Sequence, residues 1–521
     1  MGSPCPVNRF SVRIIMKRRE FLRGAAASGA IITMPAFLHG CGTQLASIVK
    51  EAPPENPFLT WFGVDEPMVT KVMSALTSNG ADIADAYFQH ARTSKLTLED
   101  GVVGNAGSDI QQGVGLRVVT GDQVGFASTE DLTLPAMLAA AQSASGIAAG
   151  AGTNVTEPLR FLSEGDLYKV VVPWGDIGVD RKTAILQSVD QKARAADPAI
   201  QNVKIAWDDA EERVMVATLD GNIATDHRPM TRLTLIVTAT RDGRTQTGFS
   251  SIAARAGIEW YTEERLVALV DEAVSRTLVQ FDARRAPSGE MPVILAAGAS
   301  GVILHEAVGH ALEADFVRDG TSPYGGRIGT SVADSNVTLV DNATIPGERG
   351  ALNYDDEGTT TSRNVLVESG VLTSYLHDQA SARHFGVNPT GTGRRESYRH
   401  APMPRMTCTS MLDGPHSRDE IIAAVDKGVV CETYTDGQVQ LGRGDFTFQV
   451  KNAWLVEDGK IAAPIKDVNV SGNGPDLLTK ITMVGNDSRL DAGGWTCGKK
   501  GQTVPVSQGM PTVLVSQLTL S

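Results

Sequence analysis

The reading of this chain turns on one stretch, Gly301-Val302-Ile303-Leu304-His305-Glu306-Ala307-Val308-Gly309-His310-Ala311-Leu312-Glu313-Ala314-Asp315-Phe316. The continuous apolar run Pro292–Ala296 before it reads as a buried strand, and the Gly/Ala/Ser segment Gly298–Gly301 reads as a turn, so a helix opens here. In a zincin helix two histidines four apart stand about 40° from each other and share a metal, while the glutamate beside the first polarises the metal's water. Here the two histidines are five apart. On a regular helix that spacing turns the rings roughly 140° away from each other. A shared metal therefore requires a wide turn of the π type, and Gly309 permits one. Glu306 lies among Leu304, Ala307 and Val308, where a carboxylate is costly without a charged partner, and a metal cluster is such a partner. Spacing alone leaves open a chance His-Glu pair with one imidazole hydrogen-bonded in the core.

Around this helix, 521 residues exceed what one core organises, and 42% apolar residues with 53 glycines describe a turn-rich globular protein. The pattern predicts an α+β protein of two domains, 57–288 and 289–521, divided near the Arg284-Arg285-Ala286-Pro287 segment. In the first, helices are expected over Asp65–Ser78, Leu134–Ala149, Asp180–Ala196 and Glu263–Leu278. Strand pairs are expected over Ala84–His90 with Ser94–Leu98, and over Gly115–Val119 with Gln123–Ala127. Beyond the motif helix the pattern is mostly short β runs separated by glycines, making the second domain largely β.

The net charge of -13 opposes a sequence-independent nucleic-acid binder, and no basic stripe occurs outside the N-terminus. There, Arg18-Arg19-Glu20-Phe21-Leu22 resembles a twin-arginine export signal, and the weakly apolar run to Leu38 is too short to span a bilayer. Residues 1–41 are thus expected to be a leader starting at Met1 or Met16, and 42–56 a linker; the chain is expected to be exported to the periplasm or the outer side of the inner membrane. Leu38-His39-Gly40-Cys41 resembles a lipobox, with His39 departing from the usual small residue, so Cys41 is a candidate lipid anchor. Past Cys41 remain Cys408, Cys431 and Cys497, an odd number that cannot close a complete disulfide framework. A Cys408–Cys431 bridge that leaves Cys497 for a metal is one arrangement, which spacing does not decide.

The motif helix and further blocks together resemble the TldD/PmbA family of modulator-of-gyrase proteases, specifically its catalytic TldD branch. The HExxxH pattern of His305 to His310 is complete; the likeness continues through Asp355-Asp356-Glu357-Gly358-Thr359, Gly393-Arg394-Arg395-Glu396-Ser397-Tyr398, Pro402-Met403-Pro404-Arg405-Met406, Gly472-Asn473-Gly474-Pro475 and Thr496-Cys497-Gly498-Lys499-Lys500-Gly501-Gln502. The resemblance implies a clamshell-like dimer, of two copies or with a TldE/PmbA-like sister chain, enclosing a cavity that admits unfolded or extended peptide. It also implies one divalent metal held by His305, His310 and Cys497. Zinc is the default, and iron uses the same ligands. A thiol flanked by Lys499 and Lys500 is placed to ionise, which agrees with that role.

The expected activity is metal-assisted peptide hydrolysis, with Glu306 as general base. Arg394, Arg395, Arg399 and Arg405 are candidates for oxyanion or carboxylate contacts or for structural ion pairs, and Asp355, Asp356 and Glu357 are left equally open. A noncatalytic peptide-binding scaffold and a metal-dependent amidase are the competing readings.

Overall fold

Asp65 caps the helix Glu66–Leu76 by accepting the backbone N–H of Met68 at 2.8 Å, as an aspartate before an apolar helical repeat should. The computed structural model describes residues 56–148, 150, 158–163, 165–440 and 443–521, and residues 53–521 form one compact unit. The expected leader, the Cys41 anchor and all but the last residue of the expected linker lie outside the described residues.

Ile83–Glu99 is one 17-residue strand rather than the two expected, because Ala91-Arg92-Thr93 contains no turn former and stays paired on both sides. The turn falls instead at Asp100-Gly101, both with positive φ, the Asp-Gly pair that a two-residue hairpin favours. Among the described residues a seven-stranded sheet results, ordered Gln123–Thr129, Val102–Thr120, Ile83–Glu99, Ile200–Thr218, Asn222–Arg241 and Arg160–Phe161, with Arg244–Ala254 also on Asn222–Arg241.

Alternation along these long strands sorts their side chains. Ala84, Ala86 and Phe88 enter one core with the helices Glu66–Leu76 and Leu134–Ile147. Farther along the same strand, Leu96 and Leu98 enter a separate core with Trp174, Trp207 and the helices Val179–Ala196 and Glu263–Leu278. The opposite parity, Asp85, Tyr87 and Gln89, meets the segment Arg395–Tyr398. There Asp85 pairs with Arg117 and Arg395, each at 2.6 Å, and Arg117 also reaches Glu357 at 2.7 Å.

The rest of the chain is largely β, as expected. One eight-stranded sheet contains Gly289–Leu295, Lys427–Val439, Asp445–Glu457, Val468–Asn473 and Val513–Leu520, and these five close into a ring through pairing of Lys427–Val439 with Asp445–Glu457. Arg284–Arg285 joins this sheet through Lys460–Lys466. A six-stranded sheet includes Leu339–Asn342, Cys408–Met411 and Ser507–Met510. The motif helix packs between ring and sheet, against Ser507–Met510, Cys408–Met411 and Asp445–Glu457. Its approach is close enough that a Cβ on Gly301 would stand 2.5 Å from the backbone of Gly509, and one on Gly474 would stand 1.9 Å from the carbonyl oxygen of Ala307. Cys408 and Cys431 are buried, free thiols on different sheets, so the bridge considered between them is not formed.

Candidate metal centre

The α-helix runs only from Gly301 to Ala307; Val308 leaves helical geometry at φ -120°, ψ -52°, and a 3-10 turn covers Gly309–Leu312. This corrects the expected π-type turn. The five-residue spacing is absorbed by a break and a tighter turn, not by a widened helix. Gly309 has a different duty as well, since a Cβ there would lie 2.2 Å from the sulfur of Met406. The outcome for the side chains is the one the chemistry needs, with ring centroids of His305 and His310 5.1 Å apart.

Cys497 arrives on the hairpin Thr496–Lys499/Gln502–Pro505, whose turn residues Lys500 and Gly501 both take positive φ. Ligand atoms of His305, His310 and Cys497 lie within 4.8 Å of one another, and all three residues are buried. Cys497 Sγ is 3.3 Å from His310 Nε2. His305 offers neither ring nitrogen a hydrogen-bond partner, an expensive state for a buried imidazole. A metal ion between the three residues satisfies that orphaned ring, so the donor set fits the group it is read to hold.

Glu313 completes the arrangement and was given no role from the sequence. Its Oε2 lies 2.8 Å from His310 Nδ1 and 2.9 Å from Lys499 Nζ. Accepting the Nδ1 proton directs Nε2 toward the cysteine, the outer-partner arrangement typical of metal-bound histidine. The signal was available, because Glu313 is three residues beyond His310, but separation by three does not distinguish this contact from a solvent-facing one.

Electrostatics agree with a ligand set. Burial opposes ionisation of Cys497, yet the charges of His310 and His305 hold its thiol well below the ordinary range. Burial also opposes charge on His310, but Glu313 and Cys497 raise it well above the ordinary imidazole value. Lys499 and Lys500 do not serve the thiol as expected: Lys499 binds Asp315 at 2.7 Å and the Pro404 carbonyl at 3.0 Å, and Lys500 binds Asp315 at 3.0 Å.

Glu306 stands 3.6 Å from His310 Nε2 and keeps a quarter of its side chain exposed, whereas the two imidazoles and the thiol are at most 1% exposed. It is the member of the group that solvent can reach. The arginines prove structural where the structure locates them. Arg405 donates to the Cys497 carbonyl at 2.6 Å, Arg394 to the carbonyls of Met406 and Pro505, and Arg395 to Asp85, while Arg399 is exposed beside Glu130. Asp356 pairs with Arg228 at 2.7 Å, Asp355 accepts three backbone N–H groups, and burial pushes Glu357 up to about 8 against the pull of Arg117. His377, His384, His400 and His416 stand outside the cluster.

A ring of strands carrying a broken helix, with two imidazoles, a thiolate and an exposed carboxylate converging at the break, is the architecture of a metal-dependent hydrolase site. Models of the PmbA/TldA metallopeptidase domains match residues 84–148 (domain 1), 172–281 (central domain) and 288–521 (C-terminal domain). The chain belongs to this PmbA/TldD metallopeptidase family. It is 38% identical over 472 residues to the metalloprotease TldD homolog of Haemophilus influenzae, covering 89% of this chain and 98% of that one. A zinc metalloprotease TldD homolog of Saccharolobus solfataricus is 27% identical, with coverage of 84% and 96%. In fold, the chain resembles a Thermotoga maritima protein described as a modulator of a DNA gyrase (TM-score 0.70, 22% identity, 88% and 100% covered). It also resembles TldE from Thermococcus kodakarensis (TM-score 0.66, 17% identity, 87% and 100% covered).

These matches correct the reading of the N-terminus as a signal peptide of the twin-arginine type. The Haemophilus relative is a TldD homolog used almost to its full length, which leaves it no counterpart of such a leader. Among the described residues no helix is long and apolar enough to cross a membrane.

Proposed function

We propose that this chain is a peptidase that hydrolyses bonds in extended polypeptide, with His305, His310 and Cys497 holding one divalent metal ion and Glu306 acting as general base. The observation that carries the reading is the convergence of two buried imidazoles and one thiolate beside a carboxylate that remains accessible. Zinc suits the set, because imidazole and thiolate are its preferred donors and three protein ligands leave a position open. When bound, it supplies Lewis-acid polarisation of water and of the scissile carbonyl.

The protein's own residues do the rest. Glu306, 3.6 Å from His310 Nε2, would accept a proton from the attacking water and return it to the departing amine. Glu313 accepts the Nδ1 proton of His310, so that once the Nε2 proton is displaced the ring would turn a lone pair toward a bound ion. Arg405 anchors the carbonyl of Cys497 and thereby the thiolate's position. The relatives named metalloproteases support peptide as substrate, and the fold shared with TldE supports assembly with a second copy or a TldE-type sister chain.

The test is cleavage of an unfolded peptide library by the parent protein and by Glu306→Ala, with zinc and iron content measured for both. Retained metal with activity lowered by roughly 10²-fold or more is expected. Unchanged cleavage removes Glu306 as base; a metal-loaded parent protein that cleaves no peptide refutes the peptidase reading.

A further inference from the structure

Two grooves meet at Thr496, the residue before Cys497. One, of about 420 Å³, is lined by Arg232, Ala299, Tyr434, Arg489 and Trp495, and the other, of about 280 Å³, by Lys95, Asp208, Met230, Arg232 and Arg349; Thr496 lines both. Arg232 is common to the two, so they form one continuous depression between the long sheet and the hairpin that carries the thiolate.

The positive charge here is under-compensated. Among the described residues the guanidinium of Arg232 makes no hydrogen bond or ion pair, and its buried Nε has no partner. Arg255 lines neither groove but acts electrostatically on Arg349; only 4% exposed, it lies over the Tyr168 ring with its Nε likewise unpartnered and no carboxylate in ion-pair range. Arg349 spends its donors on the Trp495 carbonyl and Thr496 Oγ1, both at 3.1 Å. Burial and the charges of Arg232 and Arg255 pull Arg349 down to about 10, with Asp208 opposing them. Asp208 stands across the strand ladder from Arg232 but forms no ion pair with it. Other acids of the depression are already engaged: Glu272 with Arg276, Glu432 with Arg418, Asp209 with Lys182 and Asp491 with the Trp495 indole. In a chain of net charge -13, carboxylates were abundant for pairing these arginines, and none is used.

A guanidinium held half-buried without a counter-ion is an incomplete site whose missing part is an anion, and its planar fork matches a carboxylate with two parallel hydrogen bonds. We propose that this depression is a substrate subsite in which Arg232, backed by Arg349 and Arg255, receives a carboxylate of the peptide. The inference rests on the peptidase reading above. It adds a substrate class: peptides bearing a free C-terminal carboxylate or an acidic side chain. Arg349 ties the depression to the hairpin that carries Cys497 through Thr496, whose side chain stands on the exposed face of that strand while the thiolate lies on its buried face.

Binding is measured by fluorescence anisotropy on the metal-loaded Glu306→Ala protein, which separates recognition from cleavage. Three labelled peptides of one neutral sequence are compared: a free C-terminus, the same peptide amidated, and the amidated peptide with one internal glutamate. At least tenfold tighter binding of one acidic form over the amidated neutral peptide is expected, and which one identifies the source of the carboxylate. Arg232→Gln should abolish the difference while leaving the neutral peptide's affinity unchanged, and Arg232→Lys should restore part of it. Equal binding of all three peptides, or discrimination that survives Arg232→Gln, overturns the proposal. Loss of binding to all three peptides on Arg232→Gln, with restoration by Arg232→Lys absent, overturns it too, as a merely structural role. Because the readout is binding, a protein that discriminates yet does not cleave would sink the peptidase reading alone.

Discussion

Replacing Glu313 by glutamine tests whether the centre is a metal site or a buried ion-pair cluster. The substitution keeps volume and one acceptor oxygen but removes the charge that holds the Nδ1 proton of His310. Outer partners of metal-bound histidine contribute about 10–100-fold in metal affinity, equal to roughly 1.4–2.8 kcal/mol. The retained carbonyl acceptor places Glu313→Gln toward the lower half of that range. The cost to the fold is limited for a reason visible in the structure: Lys499 keeps Asp315 at 2.7 Å and the Pro404 carbonyl at 3.0 Å when Glu313 loses its charge. The loss of stability therefore stays below the ~3–5 kcal/mol typical when a buried charge is left without any partner. The assay is competition for zinc against a chromophoric chelator near neutral pH, beside thermal denaturation of the metal-free protein. If zinc affinity stays within about twofold of the parent while the metal-free protein is destabilised, Glu313 serves only the ion-pair cluster, and the argument from the Nδ1 proton is wrong.

Three further outcomes are expected. Cys497→Ser should release the metal, since a neutral hydroxyl replaces the thiolate; metal content after dialysis, with circular dichroism to confirm the fold, checks this. Because the imidazolium of His310 persists well above the ordinary imidazole range and binding must displace its proton, zinc affinity should rise with pH through neutrality, by up to about tenfold per unit. Calorimetry in buffers of different ionisation enthalpy measures the proton release, and an affinity that falls as pH rises contradicts that state. Gly474→Ala should cost about 1–3 kcal/mol and weaken zinc binding together, because its Cβ meets the rigid carbonyl of Ala307 at 1.9 Å and pushes on the end of the helix that carries His305; paired thermal and zinc titrations follow both.

Several elements were legible because their determinants are local. Asp65 and the apolar repeat after it predict the first helix, and Glu263–Leu278 is found over the range its periodicity predicts. The strand Ile83–Glu99 replaces the two expected strands, since Ala91-Arg92-Thr93 holds no turn former and the chain turns instead at Asp100-Gly101. The break at Val308 with its tight turn likewise stands where a π-type turn is expected. Five-residue spacing demands some distortion, but whether the chain widens or tightens depends on packing against Met406 and the strand Ser507–Met510, which is not local information.

The same division holds for the site. Residue chemistry alone nominated His305, Glu306 and His310, because a histidine pair with an adjoining carboxylate on an apolar helix has few inexpensive explanations; likeness to a known family nominated Cys497. Which groups serve them was a tertiary matter. Glu313, only three residues on, became the partner of His310 because the chain turns back there; Lys499 went to Glu313 and Asp315, and Arg405 to a backbone carbonyl, through contacts between segments 92 residues or more apart. Sequence can state which side chains are able to bind a metal or carry a charge; only the folded chain sets their distances and removes water from around them, and those two quantities decide which charges pair.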